Sequence, residues 1–146
     1  MKDINDKMRD ELKVHGLRYS RPRAAILSFM QERDMHINAE GLHLALKERG
    51  EDLSLSTIYL NLNVLKEAGL VRELRGISGE AIYDSNTRDP HYHLVCQKTG
   101  KVIDIPAIEI DGVPLGQFLK RTIEDATGWQ VDEPEVQLRG VAPDEQ

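Results

Sequence analysis

The sequence predicts an α/β (α+β) chain with an N-terminal winged helix-turn-helix and a smaller C-terminal α/β domain. Apolar residues recur at helical spacing from residue 3 to residue 68, and two alternating runs around a glycine turn follow them. Beyond a polar stretch that ends in Pro90, strand-like runs and one helical segment fill the remainder. Several short helices followed by a hairpin are typical of the winged helix-turn-helix, although a generic helical domain can share this pattern.

Apolar spacing and capping residues predict four helices in the N-terminal domain. The first covers residues 3–14, and Pro22 suits the first turn of the second. Asn38 is a good N-cap for the third helix, and either Ser54 or Ser56 can cap the fourth. The apolar faces are carried by Ile4, Met8 and Leu12, by Ile26, Leu27 and Met30, by Leu42, Leu44, Ala45 and Leu46, and by Ile58, Leu62 and Leu65.

A hairpin follows the helices and would form the wing. Residues 70–74 and 81–84 read as its strands, with a turn between Gly76 and Gly79. In a helix-turn-helix, the second helix of the motif lies in the major groove with its N-terminal residues nearest the bases. The candidate for that helix is residues 55–67.

Polar side chains near the start of that helix are candidates for contacts with DNA. Its first exposed side chains are expected to be Ser56, Thr57, Tyr59, Leu60, Asn61 and Asn63. Asparagine pairs with adenine, serine and threonine bind phosphates or bases, and leucine can contact a thymine methyl group. Phosphate contacts would come from Arg18, Arg21, Arg23, Arg72 and Arg75. The alternative is that Tyr59 and the asparagines form an ordinary polar surface.

The net charge of -6 argues at first against a nucleic-acid partner. Its distribution weakens that objection, because residues 1–84 carry 13 Lys and Arg against 14 Asp and Glu, whereas residues 85–146 carry 6 against 11. Lys13 and the arginines at 18, 21 and 23 precede the next acidic residue, Glu32. The acidity therefore belongs mainly to the C-terminal domain.

The predicted boundary lies at residues 86–90, so that the DNA-binding domain is 1–85, the hinge is 86–90 and the metal-binding, dimerising domain is 91–146. In this last domain we expect strands at 91–96 and 101–105, a loop containing Gly112, a helix at 115–127 and a strand around 135–141. Two or three strands and one helix cannot cover both faces of such a domain. An exposed apolar face of this kind indicates a partner subunit.

The strand at 91–96 contains the most informative motif of the chain. Residues two apart in a strand point to the same face, so His91 and His93 would lie side by side. Asp104, on the neighbouring strand, could face them. Two imidazoles and a carboxylate are the beginning of a site for a borderline divalent metal. The alternative is a pair of solvent-facing histidines on an edge strand.

Composition excludes several classes of protein. The chain of 146 residues, 40% of them hydrophobic, can bury a core, and it has no apolar run near the ~20 residues of a membrane span. The single cysteine, Cys96, rules out an internal disulfide and a cysteine-rich zinc cage. These features predict a cytoplasmic protein.

The order of motifs resembles the ferric uptake regulator (Fur) superfamily. The resemblance runs through residues 13–106, more loosely to about 141, and is carried by Gly16-Leu17-Arg18, Pro22-Arg23, His36-Ile37-Asn38-Ala39-Glu40, Ser56-Thr57-Ile58-Tyr59, Ala68-Gly69-Leu70-Val71, His91-Tyr92-His93-Leu94-Val95-Cys96 and Gly100-Lys101-Val102-Ile103-Asp104. It implies a homodimeric, metal-activated transcriptional repressor that binds double-stranded operator DNA. It also implies an α/β dimerisation domain and a regulatory metal between the two domains.

The resemblance also implies a ligand set. The regulatory ligands of the superfamily fall on His36, Asp84, His91, His93 and Asp104. Three histidines and two aspartates are most similar to the peroxide-sensing (PerR) branch, with the manganese-uptake (Mur) and iron-uptake branches as alternatives. One Mn²⁺ or Fe²⁺ per subunit is expected, and Zn²⁺ could occupy the site in vitro. If Fe²⁺ is bound, His36 and His91 are the candidates for oxidation by peroxide.

Several positions depart from the superfamily pattern. Most relatives hold a structural zinc with two CxxC pairs, and the matching positions here are Cys96, Thr99, Ala142 and Glu145. No structural zinc bound by four cysteines is therefore expected, and Cys96 is interpreted as a buried packing residue. A further site of iron-uptake members would need histidines where this chain has Pro90, Tyr92 and Pro134. Leu60 replaces an arginine that many members carry, and His15 and His43 match no ligand position.

Two other classes of function compete with the repressor. A His/Asp metal site with an open position is found in non-haem iron oxygenases and metal hydrolases, but no spare acid or base accompanies the ligands here. A metal-storage or scaffold protein would explain the acidic total charge, but not the winged-helix pattern or the basic run. The sequence therefore favours a regulator over an enzyme.

Overall fold

A computed structural model describes residues 4–87 and 91–146, without the side chains of Ile4 and His91. The chain divides into two compact units, Met1–Arg88 and Asp89–Gln146. Both contain helices and strands, which confirms the predicted α+β class. Within the described ranges, no helix is long and apolar enough to cross a membrane.

The first unit begins with the four predicted helices. They are α1 (Ile4–Val14), α2 (Arg21–Gln31), α3 (Ala39–Glu48) and α4 (Leu55–Glu67). The side chains of Ser20, Asn38 and Ser54 accept hydrogen bonds from the backbone N–H groups of Arg23, Gly41 and Thr57, respectively, and so cap α2, α3 and α4. Of the two serines that could cap α4, Ser54 does so.

Most of the predicted apolar residues of these helices meet in one core, whereas Leu44 of α3 is 62% exposed. Its fully buried members include Leu12 of α1, Ile26, Leu27 and Met30 of α2, Leu42 of α3, and Ile58, Leu62 and Leu65 of α4. This core holds α4 against α2 and α3, so only one side of α4 remains exposed. That exposed side is the one available to a ligand.

A three-stranded sheet completes the unit and confirms the predicted winged helix-turn-helix. The predicted hairpin consists of β2 (Arg72–Arg75) and β3 (Ala81–Asp84), paired antiparallel. The third strand, β1 (His36–Ile37), pairs with the other edge of β3, so the sheet order is β1-β3-β2. Strand β1 was not predicted, because a strand of two residues is too short for an alternating pattern to be recognised.

The second unit is built on a different sheet. Its elements are β4 (His91–Cys96), β5 (Val102–Pro106), β6 (Glu109–Ile110), β7 (Val113–Pro114), α5 (Leu115–Thr127) and β8 (Gln137–Gly140), followed by a 3-10 turn at Pro143–Glu145. The main sheet has the order β5-β4-β8, with β4 and β5 antiparallel and β4 and β8 parallel. The strands and the helix predicted for this region are therefore present.

The segment before α5 differs from the prediction of a loop. Residues 109–114 form the small hairpin β6–β7, with Glu109 opposite Pro114 and Ile110 opposite Val113. Its turn residues, Asp111 and Gly112, have φ angles of 51° and 77°. Positive φ at both central residues is the signature of a two-residue hairpin turn, and the Asp-Gly pair is a strong signal for it.

The second unit leaves much apolar surface exposed. Helix α5 has no buried residue. Large apolar side chains that are at least partly open to solvent include Ile103, Ile108, Phe118, Ile123, Trp129 and Leu138. The only hydrophobic residues buried in the described part of this unit are Val95 and Cys96. The predicted thin domain with an uncovered apolar face is therefore what the structure contains.

Candidate metal ligands and nucleic-acid interface

Strand pairing in the first unit brings together His36 and Asp84. These residues are directly opposite each other in the β1–β3 ladder, and His36 Nε2 lies 3.8 Å from Asp84 Oδ1. The Asp84 side chain is fully buried, whereas that of His36 is 15% exposed. A buried carboxylate requires hydrogen bonds or a cation. The backbone N–H of Asn86 donates one such bond to Asp84 Oδ1 at 2.9 Å.

The second unit contains a matching pair, formed by His93 and Asp104. They are directly opposite each other in the β4–β5 ladder, with His93 Nε2 3.4 Å from Asp104 Oδ1. The side chains are 12% and 30% exposed. The backbone of His91 belongs to β4, two residues before His93, but its side chain lies outside the described part.

These two pairs have the donor chemistry of a divalent-metal site. Each offers one imidazole nitrogen and one carboxylate oxygen, and neither contains a thiolate. Mixed nitrogen and oxygen ligands suit Mn²⁺, Fe²⁺ and Zn²⁺, whereas soft metals prefer sulfur. The remaining histidines are placed differently. His15 follows α1 with Nδ1 2.9 Å from the Glu11 carbonyl oxygen, and His43 lies part-way along α3.

The exposed side of α4 carries most of the predicted DNA contacts. Ser56 and Asn63 are exposed, Thr57 is half-buried, and Tyr59 and Leu60 are 41% and 62% exposed. The hydroxyl groups at the start of the helix are linked, because Ser54 Oγ lies 3.1 Å from Ser56 Oγ and donates to Thr57 Oγ1 at 2.8 Å. The helix therefore presents hydroxyl, phenol, amide and apolar groups.

Asn61 does not belong to that exposed set, and the expectation that its side chain is exposed is wrong. The residue is only 4% exposed. Its Nδ2 donates to the Thr57 carbonyl oxygen at 2.9 Å, and its Oδ1 accepts from Arg23 Nε at 3.1 Å. The helical turn places position 61 toward α2, and a polar residue there is satisfied inside the protein instead of by DNA.

The three arginines near α2 occupy different surroundings. Arg18 is exposed, and its carbonyl oxygen accepts from Arg23 Nη1 at 2.8 Å. Arg21 is largely exposed, with Nη2 3.5 Å from Glu51 Oε1.

On the wing, Arg72 and Arg75 are exposed and donate to the carbonyl oxygens of Thr87 and Gly79. All five predicted cations therefore belong to the first unit, with Arg23 the most constrained of them.

Glu40 is an acidic neighbour of α4 that was not predicted to belong to the interface. The Tyr59 hydroxyl donates to Glu40 Oε1 at 2.9 Å. This hydrogen bond to the carboxylate raises the pKa of Tyr59 above its ordinary value. The phenol therefore keeps its proton, and its oxygen remains able to accept a hydrogen bond.

Cys96, which the sequence resemblance matches to the first cysteine of a CxxC pair, ends β4. It is buried, as predicted, and the N–H of Gln97 beside it donates to the Gly140 carbonyl oxygen at 2.8 Å. Hydrogen bonds from the Thr99 hydroxyl and from the backbone at Ala142 and Thr99 lower the pKa of the Cys96 thiol to about 7. Lys98 Nζ donates to the Glu145 carbonyl oxygen at 2.6 Å, which also ties the C-terminal segment to the β4–β5 turn.

Comparison with known proteins identifies similar sequences along almost the whole chain. Residues 14–137 match the ferric uptake regulator family. The peroxide operon regulator of Bacillus subtilis (strain 168) is 31% identical over 132 residues, which are 90% of this chain and 86% of that protein. Ferric uptake regulation protein 1 of Mycolicibacterium fortuitum is 35% identical over 127 residues, covering 86% of this chain and 73% of that protein.

Solved structures with a similar fold include two ferric uptake regulators. The protein from Vibrio cholerae has a TM-score of 0.73 and 30% identity, covering 92% of this chain and 98% of that chain. The protein from Pseudomonas aeruginosa, whose structure was determined with manganese, has a TM-score of 0.67 and 30% identity, covering 92% and 97%. The likeness therefore extends over both units.

Proposed function

This chain belongs to the ferric uptake regulator family, whose members are transcription regulators and not enzymes, and we propose that it is a metal-dependent repressor that binds operator DNA through α4. The observation that carries the proposal is a His/Asp pair in each unit. The first pair lies in the sheet of the winged-helix unit, and the second lies on β4 and β5.

The number of ligands supports one ion shared by both pairs. Each pair supplies two protein ligands, which is too few to complete the coordination of Mn²⁺ or non-haem Fe²⁺. We propose that His36, Asp84, His91, His93 and Asp104 together bind one Mn²⁺ or Fe²⁺. Zn²⁺ binds such nitrogen and oxygen sites more tightly than either, so it could replace them in vitro.

Charge provides the reason for metal dependence. With neutral imidazoles, the two proposed carboxylate ligands carry a formal charge that a divalent cation cancels, and without it the carboxylates oppose each other's approach. Asp84 ends β3, the middle strand of the wing sheet, and Arg72 lies opposite it in register. A cation held by Asp84 would therefore act on the element that carries the wing, and so on DNA binding.

Peroxide response is the finer part of this proposal. Its support is the three-histidine, two-aspartate set and the similarity to the Bacillus subtilis peroxide operon regulator. Bound Fe²⁺ would supply the redox chemistry, and His36 and His91 are the side chains proposed to gain oxygen. The alternative is a manganese or iron uptake regulator without peroxide sensing, which is favoured by the 35% identity to the Mycolicibacterium fortuitum protein. Intact-mass analysis after loading with Fe²⁺ and adding peroxide distinguishes the two functions, because only a peroxide-responsive repressor gains oxygen on these histidines.

A homodimer in the cytoplasm is also proposed. Regulators of this family are DNA-binding dimers, and the exposed apolar side chains of the second unit supply a surface for a second copy. A symmetric pair of winged-helix units would read two half-sites about one DNA turn apart. The single cysteine fits the reducing compartment in which operator DNA is found.

The decisive test is a gel shift on DNA upstream of the gene for this chain, with and without Mn²⁺. The proposal expects binding that requires the metal. His36→Ala should abolish this metal-dependent binding, while His15→Ala, at a histidine outside the proposed ligand set, should bind like the parent chain. Circular dichroism must show that both variants are folded. Metal-independent binding, or none by the parent chain, would exclude the repressor.

A further inference from the structure

We infer that Asn61 positions the arginine that contacts the DNA backbone, and does not itself read a base. The inference rests on the proposed DNA binding and adds a residue role to it. Asn61 is a polar residue of α4, and it is only 4% exposed. Both ends of its amide are occupied by hydrogen bonds inside the first unit.

The first of these bonds fixes the orientation of the amide. Asn61 Nδ2 donates to the carbonyl oxygen of Thr57, one helical turn earlier, at 2.9 Å. A side-chain amide has its donor and acceptor on opposite branches, so fixing the donor on the helix directs the oxygen away from it. That oxygen lies 3.1 Å from Arg23 Nε of α2.

The second bond constrains Arg23. Its guanidinium is planar and carries its N–H groups in a rigid fork. Nε donates to Asn61, and Nη1 donates to the Arg18 carbonyl oxygen at 2.8 Å. Two bonds in different directions fix the plane of the group, while the residue remains partly exposed. The other N–H groups of the fork are then presented in one orientation, which suits a phosphate.

The consequence is a fixed register between two kinds of DNA contact. Phosphate contacts orient a protein on the duplex, and base contacts determine the sequence that it prefers. Here Asn61 links the helix that would enter the groove to a cation on α2, and through Arg23 to the segment that carries Arg18. The distance between base-reading and backbone-binding groups is therefore set inside the protein before DNA binds.

The test measures binding to a generic duplex by fluorescence anisotropy over a range of salt concentrations, with Mn²⁺ present. The quantity compared is the slope of the logarithm of the binding constant against the logarithm of the salt concentration. Arg23→Ala should reduce the size of this slope by about 0.9 for each phosphate that the variant no longer binds. Asn61→Leu should produce much of that reduction while the arginine is still present. Asn61→Gln keeps both the amide donor and the amide oxygen, one methylene group further from the backbone, and should therefore retain more of the slope than Asn61→Leu.

A double-mutant cycle separates positioning from a direct contact. If Asn61 acts through Arg23, adding Asn61→Leu to Arg23→Ala should change affinity by less than about twofold. Thermal melts provide the folding control, because Asn61→Leu replaces a buried amide with a side chain of similar size and removes the partner of the Thr57 carbonyl oxygen and of Arg23 Nε. Equal reductions in affinity from Asn61→Leu in both backgrounds would overturn the inference but leave DNA binding intact. Failure of the parent chain to bind any duplex would overturn both.

Discussion

The two His/Asp pairs are alike in chemistry but differ in how the chain builds them. His93 and Asp104 face each other across a short antiparallel pairing of β4 and β5. His36 and Asp84 come from strands far apart in the sequence, which meet only because β1 adds to the edge of the wing hairpin. Asp84 is fully buried, whereas Asp104 is 30% exposed.

That difference predicts different costs for removing each carboxylate. A buried carboxylate that accepts a hydrogen bond is part of the packing of its unit, so removing it affects folding as well as ligand binding. A partly exposed carboxylate interacts through water-screened charge and contributes little to stability. Removing the first carboxylate should therefore affect both the fold of the winged-helix unit and the proposed metal binding, whereas removing the second should affect mainly the proposed metal binding.

Asp84→Ala is expected to have the largest effect. It removes the acceptor of the Asn86 N–H and leaves that donor buried, which should destabilise the first unit by about 1–3 kcal/mol. Metal-dependent DNA binding should disappear as well. Urea unfolding followed by circular dichroism measures the first effect, and the gel shift measures the second. An unchanged urea midpoint for Asp84→Ala would contradict the greater role in folding that is assigned to the first pair.

Phe118→Glu tests whether the exposed apolar face of the second unit is the interface between two copies of the chain. Phe118 is 40% exposed on α5, and a charge there should prevent association of two copies if this face is their interface. Sedimentation velocity should then show monomers. Gln117→Glu is the matched control, because it adds the same charge at the preceding exposed position of the helix. A dimer that survives Phe118→Glu would place the interface elsewhere.

Asp104→Ala should leave the fold nearly unchanged, with a decrease in stability below about 1 kcal/mol. It should nevertheless abolish Mn²⁺-dependent DNA binding, because it removes one of the proposed ligands. Asp125→Ala, at an exposed acid of α5, controls for the removal of a negative charge. If Asp104→Ala destabilised the chain as much as Asp84→Ala, the two pairs would have equivalent structural roles.

Thr99→Val, in the turn that follows β4, should produce the smallest change in stability. The Thr99 hydroxyl is the largest contributor to the lowered pKa of Cys96, about 7 in the folded chain. The variant's thiol pKa should rise toward its ordinary value, as followed by thiolate absorbance. A lowered pKa stabilises the folded chain above the ordinary thiol pKa, and this contribution disappears as pH falls through about 7. The stability difference between parent and variant should therefore shrink on acidification, and a difference that grew would contradict the assignment.

Elements with a local signal were predictable from the sequence. The spacing of apolar residues and the caps at Asn38 and Ser54 located α3 and α4, because helix hydrogen bonds and caps join residues three or four apart. Alternation around Gly100 placed His93 and Asp104 on paired strands. The functions and bounds assigned to the DNA-binding domain, the hinge and the dimerising domain stay predictions. The roles of the proposed site residues stay predictions as well.

The tertiary structure decided what depends on residues distant in sequence. Pairing of β1 with β3, and hence the approach of His36 to Asp84, has no local pattern, since two residues cannot show a period. The burial of Asn61 depends on α2 lying beside α4 and supplying Arg23 as its partner. The sequence alone thus determined the local elements and the chemistry of their side chains, whereas packing between distant segments decided which polar groups are satisfied inside and which face a ligand.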